Sequence, residues 1–158
     1  MKQKNGAAVL IMSTDKILLF HRDNIPTIPS PDCWQLVGGG IEENETPEQA
    51  LVREVNEEVS FDLNNFEFIA KIKGQFGENV WFYVAFVNKD QERLFKHGKG
   101  EGQEIGWFTI DEALKLKKTK RVTFLLGKYR EVIEEMMRTK SVIDVKNIIF
   151  DTTWRRDR

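Results

Sequence analysis

Residues 38–61 read GGGIEENETPEQALVREVNEEVSF, a glycine turn that feeds a short helix carrying three glutamates on one face. Thr46 suits an N-cap, Pro47 the first helical position, and Gln49 the third position that completes a capping box, so the helix is expected to begin here. Ala50, Leu51, Val55 and Val59 recur at the spacing of one apolar face, which predicts packing on a sheet. Glu54, Glu57 and Glu58 share another face. Like charges three and four residues apart repel by about 0.2–0.5 kcal/mol per pair, which a cation held among them would relieve. Ligands that are all oxygen favour a hard ion, and Mg²⁺ fits because it accepts a few carboxylates, keeps several waters and bridges to phosphates.

A glutamate-rich helix face is often simply solvated, but here the surroundings follow a pattern. Gly39, Glu45, Arg53, Glu54, Glu57 and Glu58 match the Nudix box: a Gly, a Glu six positions on, an Arg-Glu pair eight positions after that, and a Glu-Glu pair closing the helix. Six such positions would coincide by chance in a chain of this length with a probability on the order of 10⁻⁵ to 10⁻⁴. The sequence therefore resembles the Nudix hydrolases, at motif level over residues 34–61 and more loosely elsewhere. Ser60 stands where the box has glycine, and Val37 where many members have proline; neither change removes a carboxylate.

The resemblance implies an α/β fold, an α/β/α sandwich with a mixed sheet, and in-line attack of water on phosphorus in a nucleoside diphosphate linked to another group. It also implies a divalent cation, Mg²⁺ or alternatively Mn²⁺, held by Glu54, Glu57 and Glu58, with Glu54 placed to assist the water. Arg53 and Glu45 are expected to hold the loop before the helix and aim those ligands. Gly39 and Gly40 would let backbone amides approach the substrate. Arg22, at the end of a strand, resembles a position that some members use on substrate phosphates. One further acid outside the box is expected to complete the metal site or tune the attacking water, and Glu101 is preferred to Glu104 because glycines flank it.

Composition bounds the rest. The 158 residues (1–158) are expected to form one Nudix domain, long enough to bury a core without disulfides. A net charge of −1 makes no case for a nucleic-acid partner or a membrane surface. The single cysteine, Cys33, excludes an internal disulfide framework, and the apolar run Ala7–Met12 is too short for a signal segment, so a cytoplasmic protein is expected. The oligomeric state is not legible.

Along the chain, residues 6–12 and 17–21 read as two strands about a Ser-Thr-Asp-Lys turn, followed by a proline-bearing loop over 22–32 and a short strand over 34–37. Phe66, Phe68, Ala70 and Ile72 alternate as a half-buried strand, and residues 80–87 read as a central strand. Residues 88–103 turn polar. A strand over 104–109, a helix over 111–117 and one helix over about 122–138 follow, with residues 143–150 packing back and 154–158 as a loose basic end. Trp34, Phe76, Trp81 and Tyr83 are read first as core, and the basic run 115–121 as a solvated connection.

The reading is a pyrophosphohydrolase that takes a nucleoside triphosphate, canonical or oxidised, to the monophosphate and pyrophosphate. Alternatives are an NDP-sugar or other NDP-X substrate, or a Nudix-fold module that binds nucleotides without turnover.

Overall fold

The computed structural model describes residues 4–74 and 76–142; the segments 143–150 and 154–158 lie outside the described residues. Its sheet is organised on β1 (Gly6–Met12), which carries apolar side chains on both faces from Ala7 onward. β1 runs parallel to β6 (Asn79–Phe86) in unbroken register from Gly6 opposite Val80 to Met12 opposite Phe86. Its other edge is shared between two antiparallel neighbours: β4 (Val37–Gly40) pairs with Gly6 to Val9, and β2 (Ile17–His21) meets Met12. β2 in turn carries β3 (Trp34–Gln35) and β7 (Glu104–Phe108), and β5 (Glu67–Lys73) closes the far side on β6. One parallel pair within a largely antiparallel sheet makes the sheet mixed, as expected.

Alternation along β1 divides the core in two. Ala7, Val9 and Ile11, with Leu18 and Phe20, pack under Ala50, Leu51, Val55 and Val59 of α1 (Pro47–Val59). Burial of Leu51, Val55 and Val59 is worth about 1.5–3 kcal/mol each, which is what seats the helix. Ala8, Leu10 and Met12 face the opposite layer, made of α2 (Ile110–Leu114), α3 (Lys120–Lys128) and α4 (Arg130–Thr139). The result is an α/β/α sandwich.

Four local expectations are corrected. The glycine run is a strand rather than a turn, because Gly38, Gly39 and Gly40 pair with Ala8, Ala7 and Gly6. The alternation of residues 66–72 is interrupted by a bulge between Phe68 and Ala70, so Phe66 and Phe68 meet Tyr83 on the α1 side while Ala70 and Ile72 join the other core. The single helix over 122–138 is two, broken at Tyr129 (φ −113°, ψ 22°) just after exposed Gly127, a weak helix former. Both halves keep the apolar stripe on the sheet: Val122, Leu125, Leu126, Tyr129, Ile133 and Met136 share one cluster. Within the polar stretch, Lys89–Leu94 forms a 3₁₀ turn anchored by Ser13 Oγ donating to Glu92 (2.7 Å) and Trp107 Nε1 donating to the Glu92 carbonyl (3.2 Å).

The helix start is as read. Thr46 Oγ1 accepts from the Gln49 N–H at 3.1 Å, and the Gln49 side chain accepts from the Thr46 N–H at 2.9 Å. At the other end, the chain after the 3₁₀ turn satisfies the last carbonyls: the Lys96 and Gly98 N–H groups donate to Val59 O and Glu58 O, each at 2.9 Å. Ser60 caps the helix in the left-handed region (φ 51°, ψ 37°). Since a side chain there costs about 1 kcal/mol, Ser60→Gly should raise the thermal midpoint by about 2–4 °C. A lowered midpoint would show that the Ser60 side chain contributes more than its backbone conformation costs.

Candidate active site

The charged face of α1 lies against the glycine strand, and each glycine meets one of its side chains. The Gly38 N–H donates to Glu58 Oε1 at 2.8 Å. Gly39 lies under Glu54, so close that a Cβ there would stand 2.5 Å from the carboxyl carbon. The Gly40 carbonyl accepts from the Arg53 guanidinium at 2.9 Å. Gly38 is held to its type from the other side as well, since its φ is 147° and a Cβ on it would stand only 2.2 Å from the Ala7 carbonyl oxygen.

Arg53 is the hub of the charged face. Its Nε and Nη2 grip both oxygens of Glu45 (2.7 and 2.9 Å), and its Nη1 donates to Glu54 (3.0 Å) and, more weakly, to Glu57 (3.4 Å). The fork geometry is one only a guanidinium offers. It holds the Glu45 carboxyl down to about 2, with the backbone N–H of Glu42 assisting, and raises Arg53 above the usual arginine range. The loop before the helix is thereby tied to the strand and to the acids.

The acids themselves are unequal. Glu58 is 2% exposed, and its Oε2 has no hydrogen-bond partner among the described residues. Burial pushes its carboxyl well above the ordinary range, opposed by the Gly38 hydrogen bond and aggravated by the charges of Glu54 and Glu101. Glu54 is also raised by burial, with Arg53 acting against the shift. Glu57 is half-exposed, paired with Arg53 and outside the lining of the cleft.

Glu54 opens on a cleft of about 720 Å³ whose wall includes Gly38, Gly39, Gly40, Arg22 and Glu101. Glu58 sits behind Gly38. Of the expected site residues, the structure thus gathers Glu54, Glu58, Glu101, Arg22, Gly39 and Gly40 at one place, with Arg53 and Glu45 bracing them. Glu104 is elsewhere, its carboxylate 3.3 Å from His21 Nδ1. His21 also bonds Asp32 (2.9 Å) and stacks on buried Trp34 with ring centroids 4.5 Å apart. Arg22 does not pair with Asp23; it donates to Pro29 O (2.9 Å) and Gln35 Oε1 (2.8 Å), which hold the guanidinium toward the cleft.

Two sequence readings change. Trp34 and Tyr83 are core, but Phe76 is 56% exposed and lines the cleft. The basic run is no mere solvated connection: Lys118 Nζ donates to the Leu114 and Leu116 carbonyls, while Lys120 and Arg121 face the cleft. What brings them there is α3, whose capping residue Thr119 donates its N–H to Trp34 O (3.0 Å) and so lies beside β3. No spacing in the basic run signalled that contact.

A cation fits this site by its chemistry. The donors are oxygens, a buried carboxylate oxygen lacks a partner, and like charges face one another. Among the described residues no group of three or more acidic, histidine or cysteine side chains is close enough to hold a metal ion unaided.

A NUDIX domain model matches residues 2–126. The chain is 30% identical to the RNA pyrophosphohydrolase of Pseudomonas putida over 84% of its length and 89% of that protein's. It is 25% identical to the dihydroneopterin triphosphate diphosphatase of Haemophilus influenzae, covering 82% and 90%. The NUDIX domain of Shewanella oneidensis NrtR, solved with ADP ribose, superposes with a TM-score of 0.68 at 18% identity, over 84% of this chain and 90% of that one. The mixed sheet with flanking helices is the fold of that NUDIX structure, and the NUDIX hydrolase family acts on pyrophosphate bonds. The chain belongs to the NUDIX family. No helix among the described residues is long and apolar enough to cross a membrane.

The shift of Glu58 has a sign that can be measured. A carboxyl raised in the folded state costs nothing below the ordinary carboxylate range and destabilises increasingly as pH rises above it. Glu58→Gln keeps an acceptor for the Gly38 N–H. In metal-free protein, the thermal midpoint of the variant minus that of wild type should grow by about 3 °C or more between pH 4.5 and pH 7.5. A constant difference would place Glu58 outside the buried, strained state.

Proposed function

We propose that the protein is a Mg²⁺-dependent Nudix pyrophosphohydrolase, able to use Mn²⁺, that converts a nucleoside triphosphate, canonical or oxidised, to the monophosphate and pyrophosphate. The observation that carries this reading is the division of charge across one cleft. Glu54 and Glu101, with Glu58 behind Gly38, share one cleft with the cations Arg22, Lys4 and Lys120. A chain of phosphates needs both: cations for its own oxygens, and acids that hold a metal ion and take the proton of the attacking water. Support also comes from the two relatives, whose names describe diphosphatase and pyrophosphohydrolase activity, one of them on a triphosphate.

Glu54, Glu58 and Glu101 would hold the cation, with Glu57 joining only by turning from Arg53. When bound, the ion supplies charge neutralisation on the phosphate oxygens and lowers the pKa of a water. The remaining work belongs to the chain. Arg22 binds phosphate and orients the bond to be broken along the cleft. Glu54, whose carboxylate burial makes more basic, accepts the proton of the water as its oxygen attacks phosphorus and the bridging P–O bond opens. Arg53 stabilises the ionised form of Glu54 beforehand and steadies the loop through Glu45 and Gly40.

A panel of nucleoside triphosphates and NDP-sugars with Mg²⁺, resolved for monophosphate, pyrophosphate and phosphate, tests this directly. Monophosphate with pyrophosphate is expected; phosphate alone, turnover confined to NDP-sugars, or nucleotide binding without product would each contradict it. Glu101→Gln should lower kcat by about 10²-fold or more, and Glu104→Gln should change it little. The reverse order would move the outer acid to the β7 edge.

A further inference from the structure

Beyond the acids, the cleft continues over a floor that the hydrolytic chemistry does not use. Ala8, Leu36 and Val80, all buried in the core under α3, form this floor. Phe76, on the turn between β5 and β6, stands beside it with more than half its surface open. Arg121, in the first turn of α3, lines the same space, and its Nε is buried with no hydrogen-bond partner among the described residues. The nearby Glu78 carboxylate is engaged by the Phe76 N–H at 2.9 Å, where it closes the turn. Burial depresses the Arg121 guanidinium below the usual arginine range, with Glu78 acting in the opposite sense.

An apolar floor, an open aromatic ring and a desolvated planar donor together describe a site for a flat heterocycle rather than for more phosphate. A guanidinium fork pairs with two acceptors side by side. Guanine offers that edge in O6 and N7, whereas adenine presents an amino donor at the same place. A pterin ring offers the same pairing of a carbonyl with a neighbouring ring nitrogen. Resting on the phosphate-cleaving reading above, we infer that Ala8, Leu36, Val80 and Phe76 seat the ring of the substrate and that Arg121 selects rings with a carbonyl beside an unprotonated ring nitrogen.

The test is kcat/KM for GTP, ITP, 7-deaza-GTP, ATP and dihydroneopterin triphosphate with Mg²⁺, on wild type, Arg121→Met and Arg121→Lys. Wild type should favour GTP and ITP over ATP by about 10- to 100-fold, and 7-deaza-GTP, which lacks the ring acceptor, should fall toward ATP. Arg121→Met should raise KM for the oxo-purines far more than for ATP and so erase the preference, and Arg121→Lys, which keeps charge without the fork, should erase most of it. The comparison of GTP with dihydroneopterin triphosphate decides between the two ring sources. Equal use of GTP, 7-deaza-GTP and ATP by wild type, or a loss in Arg121→Met that is the same for every substrate, would overturn the inference. If no triphosphate is cleaved at all, the parent reading fails, and calorimetric titration with GMP, IMP and AMP then judges the ring site alone: tighter GMP and IMP support it, and equal affinities refute it.

Discussion

Three consecutive backbones without side chains set the geometry of this protein. β4 runs between β1 and the charged face of α1, and each of its glycines receives one group from the helix: Gly38 donates to Glu58, Gly39 leaves room for Glu54, and Gly40 accepts from Arg53. A Cβ at Gly38 would strike the Ala7 carbonyl. The helix can approach only because the strand is bare. That approach buries Glu58 and most of Glu54 at a cost in solvation that the Gly38 and Arg53 hydrogen bonds offset only in part. The fold thus holds two acids in a state that a cation would relieve.

The remaining loops are arranged to keep that state accessible from one side. The segment over 96–98 closes the C-terminus of α1 through backbone hydrogen bonds and then delivers Glu101 to the cleft. It is tied to the Arg22 loop at several points: the Gly102 N–H donates to Asp23 (3.1 Å), and Gln103 Nε2 donates to Arg22 O (2.7 Å) and to Asp32 (2.9 Å). The two loops carry Arg22 and Glu101 into the same cleft, so their mutual bracing fixes where these two charges stand relative to one another.

Much of this was legible because it is local. The capping box at Thr46, the apolar stripe of α1, the strand over 6–12 and the link between Arg53 and Glu45 follow from spacings of a few residues. Of the two loop acids, Glu101 lines the cleft and Glu104 lies beside His21. What escaped depends on contacts distant in sequence. Glycine has no strand preference, so pairing of 38–40 with 6–8 could not be read from composition. The extra residue near Ile69 reverses which face the aromatic side chains take, and a bulge leaves no pattern in hydrophobicity. Arg121 and Phe76 looked like a surface cation and a core ring, because only the docking of α3 beside β3 brings them to one cleft.

The claim that the bare strand positions the acids is most directly tested by Mg²⁺ titration calorimetry on wild type and Gly39→Ala. The added methyl would meet the far end of the Glu54 side chain rather than backbone, so the fold should persist, as far-UV circular dichroism can confirm, while the carboxylate is pushed aside. Mg²⁺ affinity should be at least about 10-fold weaker in Gly39→Ala, since the loss of one properly placed carboxylate is worth that much or more. Equal affinity in the two proteins would contradict the positioning role of the strand.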